Sequence, residues 1–171
     1  MRRKDREITD PDQIVEIIRG CDACRIALND EGGYPYIVPL NFGLEVVGDT
    51  YYLWFHGANR GKKMELIARD NRATFEMDTN HTLIMYDDRM SCTMGYASVI
   101  GHGLIEIVPK EEKIHGLKVL LSHFHEDDFP INEKLLAATT VFRLRVIDMT
   151  GKRRDNVHPG EKSRVHGRYG N

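Results

Sequence analysis

Residues His56-Gly57-Ala58-Asn59-Arg60-Gly61-Lys62-Lys63 hold the densest set of groups able to do chemistry. Asn59 is suited to cap a helix that starts just after it, because its side-chain oxygen can accept from first-turn N–H groups. The N–H groups of Arg60, Gly61 and Lys62 would then face outward at the positive end of that helix. Gly57 and Gly61 let a ligand approach the backbone closely. Arg60, Lys62 and Lys63 add cationic donors. Together these make a seat for a phosphate group. The competing reading is a solvated basic turn, since Gly-Lys-Lys is common on surfaces. The segment matches neither a Walker A loop nor the G-x-G-x-x-G fingerprint. An ATPase or a Rossmann dehydrogenase therefore has no support.

Other reactive side chains read as structural. Cys21-Asp22-Ala23-Cys24 is a lone C-x-x-C, and Cys92 lies far away in sequence. A zinc site would need a second pair, or histidines at ligand spacing. A redox C-x-x-C opens a helix, whereas Cys24 leads into a strand. His123 and His125 are two apart and point to different sides of a helix, so they read as surface residues rather than metal ligands. No metal site is expected. His102, between Gly101 and Gly103, reads as structural, and Trp54 as core.

These groups need elements to hold them. The chain has 171 residues, of which 41% are hydrophobic and 29% charged. That composition fits one globular domain and excludes collagen, wholesale disorder and a disulfide scaffold. The longest apolar runs, at residues 37–40 and 50–55, fall far short of the roughly 20 residues of a membrane span. The charged start, Met1-Arg2-Arg3-Lys4-Asp5-Arg6-Glu7, has no apolar stretch behind it, so the expected location is the cytoplasm, with no membrane partner. Net charge is −2, but residues 151–171 carry six Lys/Arg against two Asp/Glu. They read as a basic, solvated tail (155–171) behind a domain of residues 1–154. A basic tail without interleaved aromatics or a binding fold makes a nucleic-acid partner the weaker expectation.

Within the domain, Ile14, Ile17 and Ile18 recur at helical spacing behind Pro11, which predicts a helix over 12–20. Residues 25–28 read as a strand, and Asn29-Asp30-Glu31-Gly32-Gly33 as a hairpin turn. Residues 34–47 read as a second strand, whose Pro35 and Pro39 argue for an edge or a kink. Residues 50–55 form a third, strongly β-prone strand. A helix over 64–68 follows, then strands at 73–77, 82–86 and 96–108, a helix over 110–125, a short helix over 132–138 and a final strand at 140–149. About seven hairpin-linked strands predict a mainly β, antiparallel, closed or split barrel with a few peripheral helices.

Four stretches in order resemble a known family. They are the N-terminal eight residues, Gly33-Tyr34-Pro35-Tyr36-Ile37-Val38-Pro39-Leu40, the 56–63 segment, and Tyr96-Ala97-Ser98-Val99-Ile100-Gly101-His102-Gly103. Together they look like the flavin-binding split-barrel proteins related to pyridoxamine 5′-phosphate oxidase, and most like the 5-nitroimidazole-resistance branch. The resemblance covers about residues 1–154. It implies a six-stranded, Greek-key-like split β-barrel and a homodimer with FMN at the subunit interface, FAD being the alternative flavin. Val38, Pro39, Leu40 and Asn41 would line the flavin ring, and His56, Gly57 and Ala58 would border the ring and ribityl chain. Lys62 matches the family's phosphate-binding lysine, with Arg60 and Lys63 as helpers. Ser98 matches a position that reaches the flavin from the other subunit.

The implied reaction reduces a small aromatic or nitro compound, such as a 5-nitroimidazole, at the expense of reduced FMN. His56 is the catalytic candidate, since an imidazole titrates close to neutrality and can give or hold a proton. The competing role for His56 is packing against the flavin. Val38 stands where the family's oxidases carry an arginine, and the oxidases' C-terminal Trp and Arg-x-His signature is absent. Both weigh against vitamin B6 oxidation. Arg164-Val165-His166 falls in the stretch read as tail. A non-catalytic flavin-binding module (a store or sensor), pyridoxamine-phosphate-oxidase-like activity and a haem-binding relative are the remaining alternatives, and the last lacks an obvious axial companion for His56.

Overall fold

The computed structural model describes residues 3–126, 128–154 and 164–167. Its strands are β1 (Glu7–Ile8), β2 (Cys24–Asn29), β3 (Pro35–Leu40), β4 (Gly43–Val47), β5 (Thr50–Ala58), β6 (Arg72–Tyr86), β7 (Ser91–Ile107), β8 (Thr139–Arg154) and β9 (Arg164–Gly167). Its α-helices are α1 (Pro11–Arg19), α2 (Lys62–Arg69) and α3 (Lys113–Ser122). The strand order is β3-β2-β6-β7-β8-β5-β4, with β1 on β8 and β9 on β6. The pairings β1–β8, β2–β3, β2–β6, β4–β5, β5–β8 and β6–β9 are antiparallel. Seven strands lie on the main path, but one expected strand is split in two and two expected strands are joined. No described helix is long and apolar enough to cross a membrane.

The chain divides into two compact units, and β6, β7 and β8 each contribute residues to both. The larger comprises residues 22–76 and 100–149. Its core is built on β5, where Leu53, Trp54 and Phe55 are fully buried. Phe55 stacks on Phe142 with ring centroids 5.4 Å apart. Burying each such ring contributes about 1.5–3 kcal/mol. Trp54 satisfies its indole N–H by donating to Glu45 Oε2 at 2.8 Å. Glu45 also bonds His115 Nε2 at 2.6 Å. The two prolines placed β3 at an edge, and the structure puts it there, at one end of the strand order.

Residues 34–47 are two strands, not one. The break falls at Asn41-Phe42: Phe42 is fully buried, and its ring lies 4.5 Å from that of His123. Asn41 Nδ2 donates to the Asp22 carbonyl at 2.9 Å. These anchors turn the chain from β3, which pairs with β2, to β4, which pairs with β5. His123, read from sequence as a surface residue, is thus a packing partner. Strand β5 runs past Phe55 to Ala58 because His56, Gly57 and Ala58 find Val141, Thr140 and Thr139 on β8.

The smaller unit comprises residues 1–21, 77–99 and 150–171. In α1, Asp10 accepts from the Asp12 N–H at 3.1 Å and Pro11 opens the first turn, a cap contributing about 1 kcal/mol. Ile14, Ile17 and Ile18 face inward, as their spacing required. Cys21 and Cys24 are buried thiols outside any disulfide, the first donating from Sγ to the Ile17 carbonyl at 3.2 Å, and Cys92 is exposed. The two strands expected at 73–77 and 82–86 are one continuous β6. Asn80 takes a left-handed φ of 58° inside it, which asparagine tolerates better than most residues. Within the stretch read as a solvated tail, residues 164–167 form β9 against residues 82–85 of β6.

Candidate functional site

The larger unit delivers the 56–63 segment as the end of β5, a short turn and the start of α2. The expected cap is corrected. Asn59 spends its side chain elsewhere, donating from Nδ2 to the Ala137 carbonyl at 2.8 Å and accepting from Thr140 Oγ1 at 2.8 Å. Gly61 is the N-cap, with φ at 115° and no side-chain bond, a conformation that favours glycine. The Met64 and Glu65 N–H groups both reach the Gly61 carbonyl. The N–H groups of Lys62 and Lys63 stand in the first turn, where a helix supplies no partner of its own.

The two lysines have different surroundings. Lys62 Nζ lies 2.5 Å from Asp30 Oδ2 and 5.1 Å from the centre of the Tyr36 ring. The hydrogen bond to Asp30 raises the Lys62 pKa above its ordinary value. In return it holds the Asp30 carboxyl below the usual carboxylate range. Lys63 is half-buried, with Nζ over the Phe142 ring at 5.3 Å. A Cβ built on Gly57 would stand 2.6 Å from that ammonium. Burial pushes the Lys63 pKa down. Among the described residues, no hydrogen bond or ion pair reaches the Lys63 ammonium, the Arg60 guanidinium or the His56 ring. A half-buried cation with no counter-ion is costly, and a bound anion would relieve that cost.

The expected ring-lining residues lie on β3 and just past it. Val38 and Leu40 are half-buried, and Pro39 and Asn41 exposed. Val38 pairs with Ile26 and Pro39 with Arg25 of β2. The Lys62 contacts to Asp30 and Tyr36 bring α2 to the β2–β3 hairpin. His56 and Ala58 are exposed on β5, with Gly57 half-buried between them. Ser98 is half-buried on β7 and belongs to the smaller unit. His102, read as structural, bonds Asp148 Oδ1 through Nδ1 at 2.8 Å. Sequence reasoning missed Asp30 and Tyr36 as partners of Lys62. The acidic turn residue was visible, but nothing local ties it to a lysine 32 positions on.

An antiparallel β domain that presents, at a strand-to-helix turn, a cation with no ion-pair partner among the described residues defines the class of fold and site. The family model described as pyridoxamine 5′-phosphate oxidase matches residues 10–153, and the chain belongs to that family. Its fold class is the mainly β split barrel that the resemblance implied. A Bacteroides thetaiotaomicron protein provisionally assigned to 5-nitroimidazole antibiotic resistance is 33% identical, with 86% of each chain covered and a TM-score of 0.74. The flavocytochrome Anf3 of Azotobacter vinelandii is 16% identical over 96% of this chain and 80% of its own, with a TM-score of 0.75. The FAD- and haem-binding protein of Mycobacterium smegmatis is 19% identical over 94% of this chain and 82% of its own, at 0.74. These last two share the fold alone. No curated protein matches the chain by sequence.

Proposed function

We propose that this chain is a flavin-dependent oxidoreductase that holds FMN, with FAD as the alternative, and reduces a small aromatic or nitro compound. The observation that carries the reading is the half-buried Lys63 ammonium beside Gly57 and the Gly61 turn, over the Phe142 ring and with no counter-ion among the described residues. It suits a flavin phosphate better than Lys62, which already has Asp30. Arg60 supplies a second donor from the same turn. When bound, the flavin supplies reversible electron transfer. The chain holds its phosphate at Lys63 Nζ and borders its ring with Val38–Asn41 backbone. A homodimer, with Ser98 of each chain completing the other's site, is part of the proposal.

His56 is exposed and its ring has no described partner, so it is available to hold a proton against a substrate that gains negative charge. Kinship with the nitroimidazole-resistance protein supports a nitro compound as that substrate. The purified protein is expected to be yellow, to bleach anaerobically with a reductant and to recover its spectrum on adding a nitroaromatic. Bound flavin that no acceptor reoxidises would reduce the chain to a flavin carrier. Acid release and mass measurement of the flavin decide between FMN and FAD. His56→Ala is expected to keep its flavin and lose about 100-fold in turnover, the scale of a positioned proton donor. Unaltered turnover with flavin retained would assign His56 to packing.

Gly57→Ala tests the phosphate seat from the other side. Its new methyl would meet the flexible end of Lys63, 2.6 Å away, so the ammonium swings aside and the fold survives. Flavin affinity should fall about tenfold, the cost of one charge-assisted hydrogen bond, with the melting temperature changed by only a few degrees. Fluorescence quenching on titrating free flavin reads the affinity.

A further inference from the structure

The turn that carries Arg60 and Gly61 has no side-chain cap of its own, because Gly61 enters α2 with nothing to accept from the first-turn N–H groups. The nearest fixed point upstream is Asn59, whose amide is used at both ends. Its Nδ2 donates to the Ala137 carbonyl at 2.8 Å, and its Oδ1 accepts from Thr140 Oγ1 at 2.8 Å. The partner side is itself braced. Lys113, the first residue of α3, donates from Nζ to the Leu136 carbonyl at 3.0 Å and to the Thr139 carbonyl at 2.6 Å. One ammonium shared between two carbonyls three residues apart ties residues 136–139 to the helix. Thr140 is buried, so its hydroxyl has little water to turn to and keeps the amide.

Asn59 is exposed, so these bonds add little to the core; what they fix is the path of the chain into α2. The same stretch of β8 also fixes the ammonium. Thr140 pairs with Gly57 and Phe142 with Phe55, and the Phe142 ring lies under Lys63 Nζ at 5.3 Å. Within three residues, β8 thus sets both the turn before α2 and the cation behind it. Without the Asn59 amide, Arg60 and Gly61 would join β5 to α2 unanchored, and ordering them on binding would cost affinity. We propose that Asn59 and Thr140 are positioning residues for the flavin phosphate. They hold the Arg60-Gly61 turn so that the first-turn N–H groups of α2 and the Lys63 ammonium converge on one anion. This inference rests on the phosphate seat proposed above.

Titrating the full-length, flavin-free protein with FMN and with riboflavin, which lacks the phosphate, tests this. Asn59→Ala and Thr140→Val should each weaken FMN by about fivefold or more, the worth of one hydrogen bond, and leave riboflavin within about twofold of the unsubstituted protein. Thr140→Ser keeps the hydroxyl and should keep the FMN affinity. Should Thr140→Val fail to fold, Asn59→Ala, at an exposed position, carries the test. Equal losses for the two flavins would mean general damage to the fold and would overturn the proposal. So would FMN affinity unchanged in either folded variant, or a loss in Thr140→Ser as large as that in Thr140→Val. The two readings fail separately. Unsubstituted protein that binds riboflavin as tightly as FMN removes the phosphate seat, and the positioning role with it. A preference for FMN that survives in Asn59→Ala and Thr140→Val removes the positioning role alone.

Discussion

Replacing Lys63 with alanine is expected to weaken flavin binding by about 10- to 100-fold, and replacing Lys62 with alanine by less than about threefold. The first figure is the 1.5–3 kcal/mol of a hydrogen bond to a charged group. The asymmetry comes from what each ammonium already has. Lys62 is exposed and paired with Asp30, so its net gain from a phosphate is offset by the bond it must leave. Lys63 is held over Phe142 with no described counter-ion, so a phosphate meets a cation already partly desolvated and already in position. Comparable losses in the two variants would mean that the phosphate sits between the lysines. Loss in Lys62→Ala alone would restore the assignment that the family resemblance implied.

The same residue sets a pH dependence. Burial lowers the Lys63 pKa in the flavin-free protein, so its charge is lost at a lower pH than that of a free lysine. Flavin affinity should be flat near neutrality and fall as pH rises through that lowered value. Lys63→Arg, which keeps its charge to higher pH, should move the fall upward. An alkaline limb that ignores the substitution would remove Lys63 from the phosphate.

Gly43→Ala should destabilise the protein by about 3 kcal/mol or more, read as a fall in the denaturation midpoint. A Cβ there would stand 2.3 Å from the Val119 carbonyl oxygen and 2.6 Å from the Leu120 Cα. Both are backbone atoms of α3, so no rotamer change relieves the clash and the helix must move off β4. Gly57→Ala also has a contact well inside van der Waals distance, 2.6 Å, but to the tip of a lysine. The contrast is the control: both contacts are too short, with opposite consequences for the fold. Gly43→Ala with an unchanged midpoint would show that α3 slides on β4 at little cost.

Which parts of this molecule were legible in the sequence follows from the distance over which each is decided. Helix α1 is settled by Asp10, Pro11 and three isoleucines within nine residues, and it was read correctly. The edge position of β3 was legible because proline cannot donate to a ladder. The family was legible because four motifs kept their order. The break at Asn41-Phe42 was not, because Phe42 is held by His123, some eighty residues on. Asn59 has the chemistry of a cap, but its amide is drawn to Ala137 and Thr140. Lys62 and Lys63 are indistinguishable locally; only Asp30, across the β2–β3 hairpin, tells them apart.

The two hairpins β2–β3 and β4–β5 are neighbours in sequence, yet they lie at opposite ends of the strand order. His56 of β5 meets Val141, and Leu53 meets Leu144. A ribosome adding about 5–20 residues per second therefore finishes β5 on the order of ten seconds before its partner strand exists. Throughout that interval β5, carrying Leu53, Trp54 and Phe55, is paired on its β4 side only, and its other, strongly β-prone edge has no native strand to pair with. Such an edge is a template for pairing with another chain. The β5–β8 seam, more than the core it encloses, is thus where production of this protein is most exposed to aggregation and to chaperone capture.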